Sequence, residues 1–422
     1  MSRLLSSDQI IKTLLHFGFK LVSQRGSHQK YQKEGFTVIV PSPRKEIPIG
    51  TFRSIVRQSG LSINDYTEKI KNRLQEKLAV WEPFEATTLN SFGHATVNVK
   101  PSPVNSTLFV TGAAGFIASR VCQMLLDQGN QVIGIDNMND YYDVRLKEYR
   151  LARLTKYPRF TFYMADIENR EELKPIFEAH AFRSVFNLAA RAGVRYSMEN
   201  PWVYLRTNTE GTLNLLELMK DFGVPKFILA STSSLYAGLP MPFTEDLPVN
   251  TPISPYAASK KAAEAFAYTY HRQYGIDVSI LRYFTVFGPG GRPDMAPYRF
   301  VKWILEGTPI SLYGDGSAAR DFTFVDDIAR GTILAEKPLG YQIINLGGGN
   351  KPVTINQFIL WIEELTGKKA AINYLPTHSA DMDFTMANID KARQLLGWEP
   401  TVDTYAGLKE MLKDTALLKY KV

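Results

Sequence analysis

Residues 108–118 read Leu-Phe-Val-Thr-Gly-Ala-Ala-Gly-Phe-Ile-Ala, an apolar strand running into a glycine-spaced turn and then into the start of an apolar helix. Gly112 permits the tight turn, Gly115 lets a pyrophosphate reach the backbone, and the small Ala118 allows the helix to pack closely on the strand. In isolation such a turn can be purely structural; its surroundings make the nucleotide reading the better one. Strand-like runs at 108–110, 131–136, 160–164, 184–188, 226–230 and 278–283 alternate with long helical stretches. That alternation implies right-handed crossovers and a parallel sheet covered on both faces. Asp136 ends the second strand, 24 residues after Gly112, where a carboxylate accepts hydrogen bonds from an adenosine ribose and repels a 2′-phosphate. NAD is therefore expected over NADP. Asp166 follows the third strand and reads either as an adenine contact or as the N-cap of a helix beginning near Asn169.

Ahead of this region the pattern differs. Ser7-Asp8 followed by Ile10, Ile11, Leu14 and Leu15 predicts a capped amphipathic helix ending at Gly18. Residues 29–32 and 36–40 read as strands joined at Lys33-Glu34-Gly35, and 41–48 as a loop. Phe52, Ile55 and Val56 mark one face of a helix over 51–58. The expectation is a small α-β-β-α unit. Residues 71–103 lose periodicity and read as linker, with a short helix near 73–80. Charge divides along the same line. The 422 residues carry net +7, but residues 1–100 hold 15 of the 49 Lys and Arg and only 8 of the 42 Asp and Glu; the other 322 residues balance. The basic excess belongs to the front unit and says nothing about the larger one. A lone cysteine, Cys122, excludes an internal disulfide and points to the reducing cytoplasm. Asp8, Lys12 and His16 interrupt the N-terminal apolar run, unlike a signal peptide. No stretch reaches the roughly 20 apolar residues of a membrane span, so no membrane partner is expected.

Tyr256-Ala-Ala-Ser-Lys260 sets a phenol and an ammonium on one helix face, four residues apart. A phenol with a pKa of about 10 is a poor base at pH 7, and about 4 kcal/mol of phenolate stabilisation would correct that. A nearby lysine and a cationic nicotinamide can supply it. Ser231-Thr232-Ser233-Ser234 closes the preceding strand and offers hydroxyls to the same substrate oxygen. With the glycine turn and Asn187-Leu-Ala-Ala190, these residues resemble the extended short-chain dehydrogenase/reductase family. More narrowly, Asp-Asn-Met-Asn-Asp-Tyr-Tyr-Asp at 136–143, Leu-Ala-Ala-Arg-Ala-Gly-Val-Arg-Tyr-Ser at 188–197 and Arg-Tyr-Phe-Thr-Val-Phe-Gly-Pro-Gly-Gly-Arg-Pro-Asp-Met at 282–295 resemble the UDP-glucuronate 4-epimerases. The resemblance runs over about 107–418.

It implies an α/β fold: a Rossmann domain over 106–284 and 323–349, with a smaller UDP-sugar lobe over 285–322 and 350–422. It further implies Tyr256 as the base, Lys260 on the nicotinamide ribose and tuning Tyr256, and Thr232 orienting the sugar hydroxyl. NAD contacts follow at Gly112, Gly115, Phe116, Ile117, Asp136, Asn137, Asp166, Ile167, Leu188, Ala189, Ala190 and Asn208. Ser233, Ser234, Thr285 and Arg292 would lie near the sugar carboxylate, with Arg195 also on the substrate. Arg320 resembles an arginine that grips the UDP diphosphate, with a surface salt bridge as the other reading, and Asp381 a nucleotide contact. The implied reaction is epimerisation at carbon 4 through a transient 4-keto sugar, without a metal, in a homodimer built through paired helices. Dehydratases and decarboxylases of this fold carry an acid soon after the active-site Ser/Thr, where this chain has Ser233-Ser234. UDP-galactose epimerases usually have Asn where Thr285 stands. Decarboxylation and UDP-glucose/galactose epimerisation remain the rival activities. Arg191 stands where the glucuronate group often has Gln, and the sequence assigns it no role.

At the front, Gly26-Ser27-His28 and Ile49-Gly-Thr-Phe-Arg-Ser-Ile-Val-Arg-Gln-Ser-Gly-Leu61 resemble HicA-type toxins, RNA-cleaving proteins with a double-stranded-RNA-binding-like α+β fold. The resemblance covers about 4–70, within a module set at 1–72 and followed by a linker at 73–105. It implies His28 as the catalytic residue, with Arg25, Lys30, Lys45, Arg53 and Arg57 available to phosphates. A structural His28, or a basic face serving an acidic antitoxin, are the other readings. A binding protein whose second domain senses NAD is the alternative for the whole chain.

Overall fold

A computed structural model describes residues 7–43, 47, 49–61, 107–349, 352–377 and 382–414. The chain divides into two compact units, Met1–Val99 and Lys100–Val422. The expected linker helix near 73–80, Lys45 and Asp381 lie outside the described residues.

In the first unit, helix α1 (Ser7–His16) precedes strands β1 (Lys20–Arg25), β2 (His28–Lys33) and β3 (Phe36–Pro41), and helix α2 (Ile49–Ser59) follows. The sheet is antiparallel in the order β1-β2-β3. Ile10 and Leu14 of α1, Tyr31, Val38 and Val40 of the sheet, and Phe52 and Ile55 of α2 form one core. The unit is thus α-β-β-β-α, and the α-β-β-α expectation missed β1. That strand sits at the sheet edge, its register shifts between Leu21 and Ser23, and Leu21 and Val22 are both exposed. A bulged edge strand lacks the alternation by which strands are recognised.

The second unit is built on seven parallel strands: β4 (Thr107–Thr111), β5 (Gln131–Ile135), β6 (Phe160–Tyr163), β7 (Phe182–Asn187), β8 (Lys226–Thr232), β9 (Asp277–Tyr283) and, after four short strands that belong to other sheets, a late strand Tyr341–Leu346. Their order is β6-β5-β4-β7-β8-β9 with the late strand at the far edge, every pairing parallel. Strand order reverses between β4 and β7, where such sheets open a crevice at their carboxyl ends. Leu108 and Val110 join one core and Phe109 the other, so β4 is buried on both faces and reads as a continuous apolar run. Helix α3 (Phe116–Asp127) follows β4, α4 (Val144–Leu154) follows β5 and α5 (Arg170–Ala179) follows β6. After β7 come α6 (Val194–Glu199), α7 (Pro201–Tyr204), a π-helical turn (Leu205–Glu210) and α8 (Gly211–Phe222). The long α9 (Pro255–Tyr274) separates β8 from β9. A third core, with Phe287, Tyr298, Phe322 and Phe358 among its residues, supports the smaller lobe.

Candidate active site

The cleft at the switch point encloses about 1100 Å³ open to solvent. The glycine turn forms its floor. Gly112 has φ of +70°, and a Cβ there would lie 2.9 Å from the Cα of Ala189; a Cβ on Gly115 would meet the Gly112 carbonyl oxygen at 2.8 Å. No side chain caps α3 at Gly115 and no acid sits in its first turn, so the amides of that turn face an anion unopposed. This cradle fits a dinucleotide diphosphate. Phe116, Ile117, Asn137, Asp166, Ile167, Leu188, Ala189 and Ala190 line the same cleft.

Asp136 is buried at the end of β5. Its Oδ1 accepts from the Met138 amide at 2.8 Å and from Lys147 Nζ at 3.2 Å. Asp166 accepts from Asn137 Nδ2 at 2.9 Å and from the Glu168 amide at 3.0 Å. It is not the N-cap of α5; Asn169 is, through the Glu171 amide. Asn208 does not line the cleft. It is buried in the π-helical turn, where Nδ2 donates to the Ser259 hydroxyl and to the Arg191 carbonyl, both at 2.9 Å, and Oδ1 accepts the Arg191 amide at 2.8 Å.

Tyr256 and Lys260 occupy the other end of the cleft. Ser254 caps α9 through the Ala257 amide and Pro255 opens it, which places Tyr256 in the first turn of a 20-residue helix, where the dipole favours an anion. Burial pushes the Tyr256 phenol up; a hydrogen bond from Thr232 and the charge of Arg292 pull it down. Lys260 is buried and donates to the Ala230 carbonyl at 2.8 Å. Burial pushes it down to about 8, opposed by Glu264. Thr232 accepts the Ser234 amide at 3.1 Å and caps the short 3₁₀ helix Ser233–Tyr236, in which Ser233 is buried. Ser231 lines the cleft, whereas Thr232, Ser233 and Ser234 stand outside its lining. Ser231 donates to Glu264 Oε1 at 2.6 Å, and Glu264 is gripped by the buried Arg282.

Arg292 lines the cleft, bonds Asp294 through Nε at 3.0 Å and donates to the Ala192 carbonyl at 3.2 Å. Thr285 lies on the short strand Thr285–Phe287. The Arg195 guanidinium stacks 3.8 Å above the Tyr313 ring. Arg320 Nη1 donates to the carbonyls of Ala319 and Asp383 at 3.0 and 3.2 Å. None of Arg195, Thr285 and Arg320 is in the wall of this cleft.

Three groups here carried no sequence signal. Arg150 is buried and joins the Ala114 carbonyl of the glycine turn at 3.1 Å to the Gly290 carbonyl at 2.9 Å. Beside the Tyr142 hydroxyl at 2.7 Å, its partners include backbone carbonyls 36 and 140 residues away, which no local pattern announces. Arg299 stacks on Trp303 and keeps a buried Nε without a hydrogen-bond partner. Asp321 is buried, accepts the Ala387 amide at 2.8 Å, and is pushed up to about 6 by burial. Among the described residues no His, Cys, Asp and Glu group could hold a metal, and no helix is long and apolar enough to cross a membrane.

Residues 108–347 match the model of the NAD dependent epimerase/dehydratase family. The chain belongs to that family. A second model, HicA toxin of bacterial toxin-antitoxin, matches residues 7–61. The epimerase-family unit is 60% identical to a UDP-glucuronate 4-epimerase of Thermodesulfobacterium geofontis over 300 residues, covering 71% of this chain and 93% of that protein. A Bacillus cereus UDP-glucuronic acid 4-epimerase crystallised with UDP-glucuronic acid and NAD superimposes with a TM-score of 0.70 at 38% identity, over 74% of this chain and 99% of that one. A Thermotoga maritima UDP-glucose 4-epimerase with UDP-glucose follows at 0.67 and 34%, over 73% and 97%.

In the first unit His28 opens β2, exposed, with Ser27 Oγ 3.4 Å from its Nδ1. Strand alternation sets His28, Lys30 and Gln32 on the sheet face opposite Tyr31. Arg57 is exposed on α2.

Proposed function

We propose that the epimerase-family unit interconverts UDP-glucuronate and UDP-galacturonate by oxidation and re-reduction at carbon 4. The observation that carries this reading is the pairing of a buried Tyr256–Lys260 helix turn with Thr232 and an acid-free Ser233-Ser234, in a unit 60% identical to a UDP-glucuronate 4-epimerase. The glycine turn, Asp136 and Lys260 would hold NAD, which when bound supplies the two-electron acceptor and donor. Tyr256 takes the proton of the carbon-4 hydroxyl and returns it to the same oxygen after the 4-keto sugar has turned its other face to the hydride donor, so the inversion is at the carbon and not at the oxygen that Tyr256 serves. Thr232 holds that hydroxyl against Tyr256. Lys260 and the first turn of α9 favour the phenolate. Arg292 and the hydroxyls of Ser233, Ser234 and Thr285 suit the sugar carboxylate. Arg195 and Arg320 would take the nucleotide diphosphate, and Asp381 the nucleotide. Incubating the full chain with UDP-glucuronate and resolving the products tests this. UDP-galacturonate is expected; UDP-xylose alone, or turnover of UDP-glucose without turnover of UDP-glucuronate, overturns it.

For the front module we propose an RNA target. The basic excess of residues 1–100 and the exposed face bearing His28 and Lys30 support it, as does the match to the HicA model. The working compartment is taken to be the cytoplasm, and the assembled state a homodimer.

A further inference from the structure

Arg191 and Lys147 are basic side chains of the cleft to which the reaction above gives no task, and Lys147 is already paired with Asp136. Four cations line that cleft: Lys147, Arg191, Lys260 and Arg292. Three of them are already engaged. Lys147 pairs with Asp136 at 3.2 Å, Arg292 pairs with Asp294, and Lys260 donates to the Ala230 carbonyl at 2.8 Å. Arg191 pairs with no carboxylate among the described residues. Its guanidinium meets the Asn139 amide oxygen at 3.3 Å and lies 5.3 Å from the centre of the Tyr141 ring. Arg292 approaches the same ring at 5.7 Å. Two guanidinium groups gathered on one aromatic ring repel each other, and an anion between them turns that repulsion into binding.

The main chain at this position is also held. Asn208 closes on both polar atoms of the Arg191 peptide unit, accepting its amide at 2.8 Å and donating to its carbonyl at 2.9 Å. Asn208 does so from a π-helical turn, a rare conformation that concentrates at functional sites. Two residues before Arg191, the backbone of Ala189 abuts Gly112, where a diphosphate would cross the turn. Tyr141, shared with Arg292, lines the same cleft.

We propose that Arg191 is an anion-binding residue of this cleft, its main chain fixed by Asn208 and its guanidinium presented to a phosphate or carboxylate oxygen of the bound molecules. The proposal rests on the cofactor and substrate reading given above. Its two sources of anion are the diphosphate groups and the sugar carboxylate.

Titration calorimetry on the full chain separates them. Arg191→Gln and Arg191→Lys would be freed of bound cofactor and titrated with NAD. NAD-loaded protein would then be titrated with UDP-glucuronate and with UDP-glucose, which lacks the carboxylate. Loss of a charge-assisted contact is expected to weaken binding about tenfold in Arg191→Gln, with part of the loss restored in Arg191→Lys. Weaker NAD binding assigns the contact to the cofactor diphosphate. Weaker binding of UDP-glucuronate alone assigns it to the carboxylate, and an equal loss for both UDP-sugars to their diphosphate. Unchanged affinity for all three ligands overturns the proposal. If the wild type binds NAD but not UDP-glucuronate, the substrate reading falls, while the NAD titration still decides the role of Arg191.

Discussion

At the scale of single residues the site is governed by burial of groups that must change or hold charge. Tyr256 is raised by burial and lowered by Thr232 and Arg292, so its phenol depends on its neighbours for basicity. Tyr256→Phe keeps the ring and removes the proton acceptor; kcat should fall by about 10²–10⁴-fold with UDP-sugar affinity little changed. A variant retaining full turnover would remove Tyr256 from the mechanism. Asp321 allows a stability prediction. Its folded pKa of about 6 stands above the ordinary 3.8, so its contribution is fully present below pH 3.8 and is lost as pH rises through 6. Asp321→Asn does not ionise. Between pH 4.5 and 7 the variant should gain about 2 kcal/mol on the wild type in urea unfolding, and a constant difference would contradict the assignment.

Among the elements, legibility followed burial. β4 and its neighbours were readable because strands covered on both faces become unbroken apolar runs. β1 was not, because a bulged edge strand exposes Leu21 and Val22. The glycine turn, Tyr256, Lys260 and Arg292 stand out in the sequence because each sits in a local motif that keeps its spacing, and the structure gathers them on one cleft. Arg150 and Asp321 carried no signal, and the hydrogen bonds of Ser231 and Asn208 were not legible either, because those contacts are set by partners distant in sequence, such as Gly290, Ala387, Glu264 and Arg191. The turn before α3 yields its own prediction. In Gly112→Ala the new methyl would meet Ala189 backbone at 2.9 Å while φ stays at +70°, so the turn must open. The purified variant should lose NAD, read from its absorbance ratio, and retained NAD at the wild-type level would show that the cradle tolerates a Cβ.

For the molecule as a whole, two surfaces remain to be covered. Met198, Trp202 and Leu205 are exposed along α6, α7 and the π-helical turn, Trp202 at 66%. Apolar side chains this close together favour a protein partner over water, and a second copy of the epimerase-family unit is the proposed occupant. Trp202→Glu should convert a dimer to a monomer in sedimentation velocity. Dimers of the variant would move the interface elsewhere. In the front module the proposed RNA target is tested by incubating RNA with the full chain: any degradation by the wild type should be lost in His28→Ala, and equal rates would reduce His28 to a structural residue.

The late strand at the edge of the parallel sheet has a consequence in time. The first unit's described core is complete by Leu61, whereas the sheet of the second gains its last strand only with Tyr341–Leu346. Ribosomes add about 5–20 residues per second, so roughly 15–60 s separate the two events. The HicA-like module is therefore free to fold while most of the epimerase-family unit is still untranslated. A partner that recognises the folded module can meet it on the ribosome, before the parallel sheet exists.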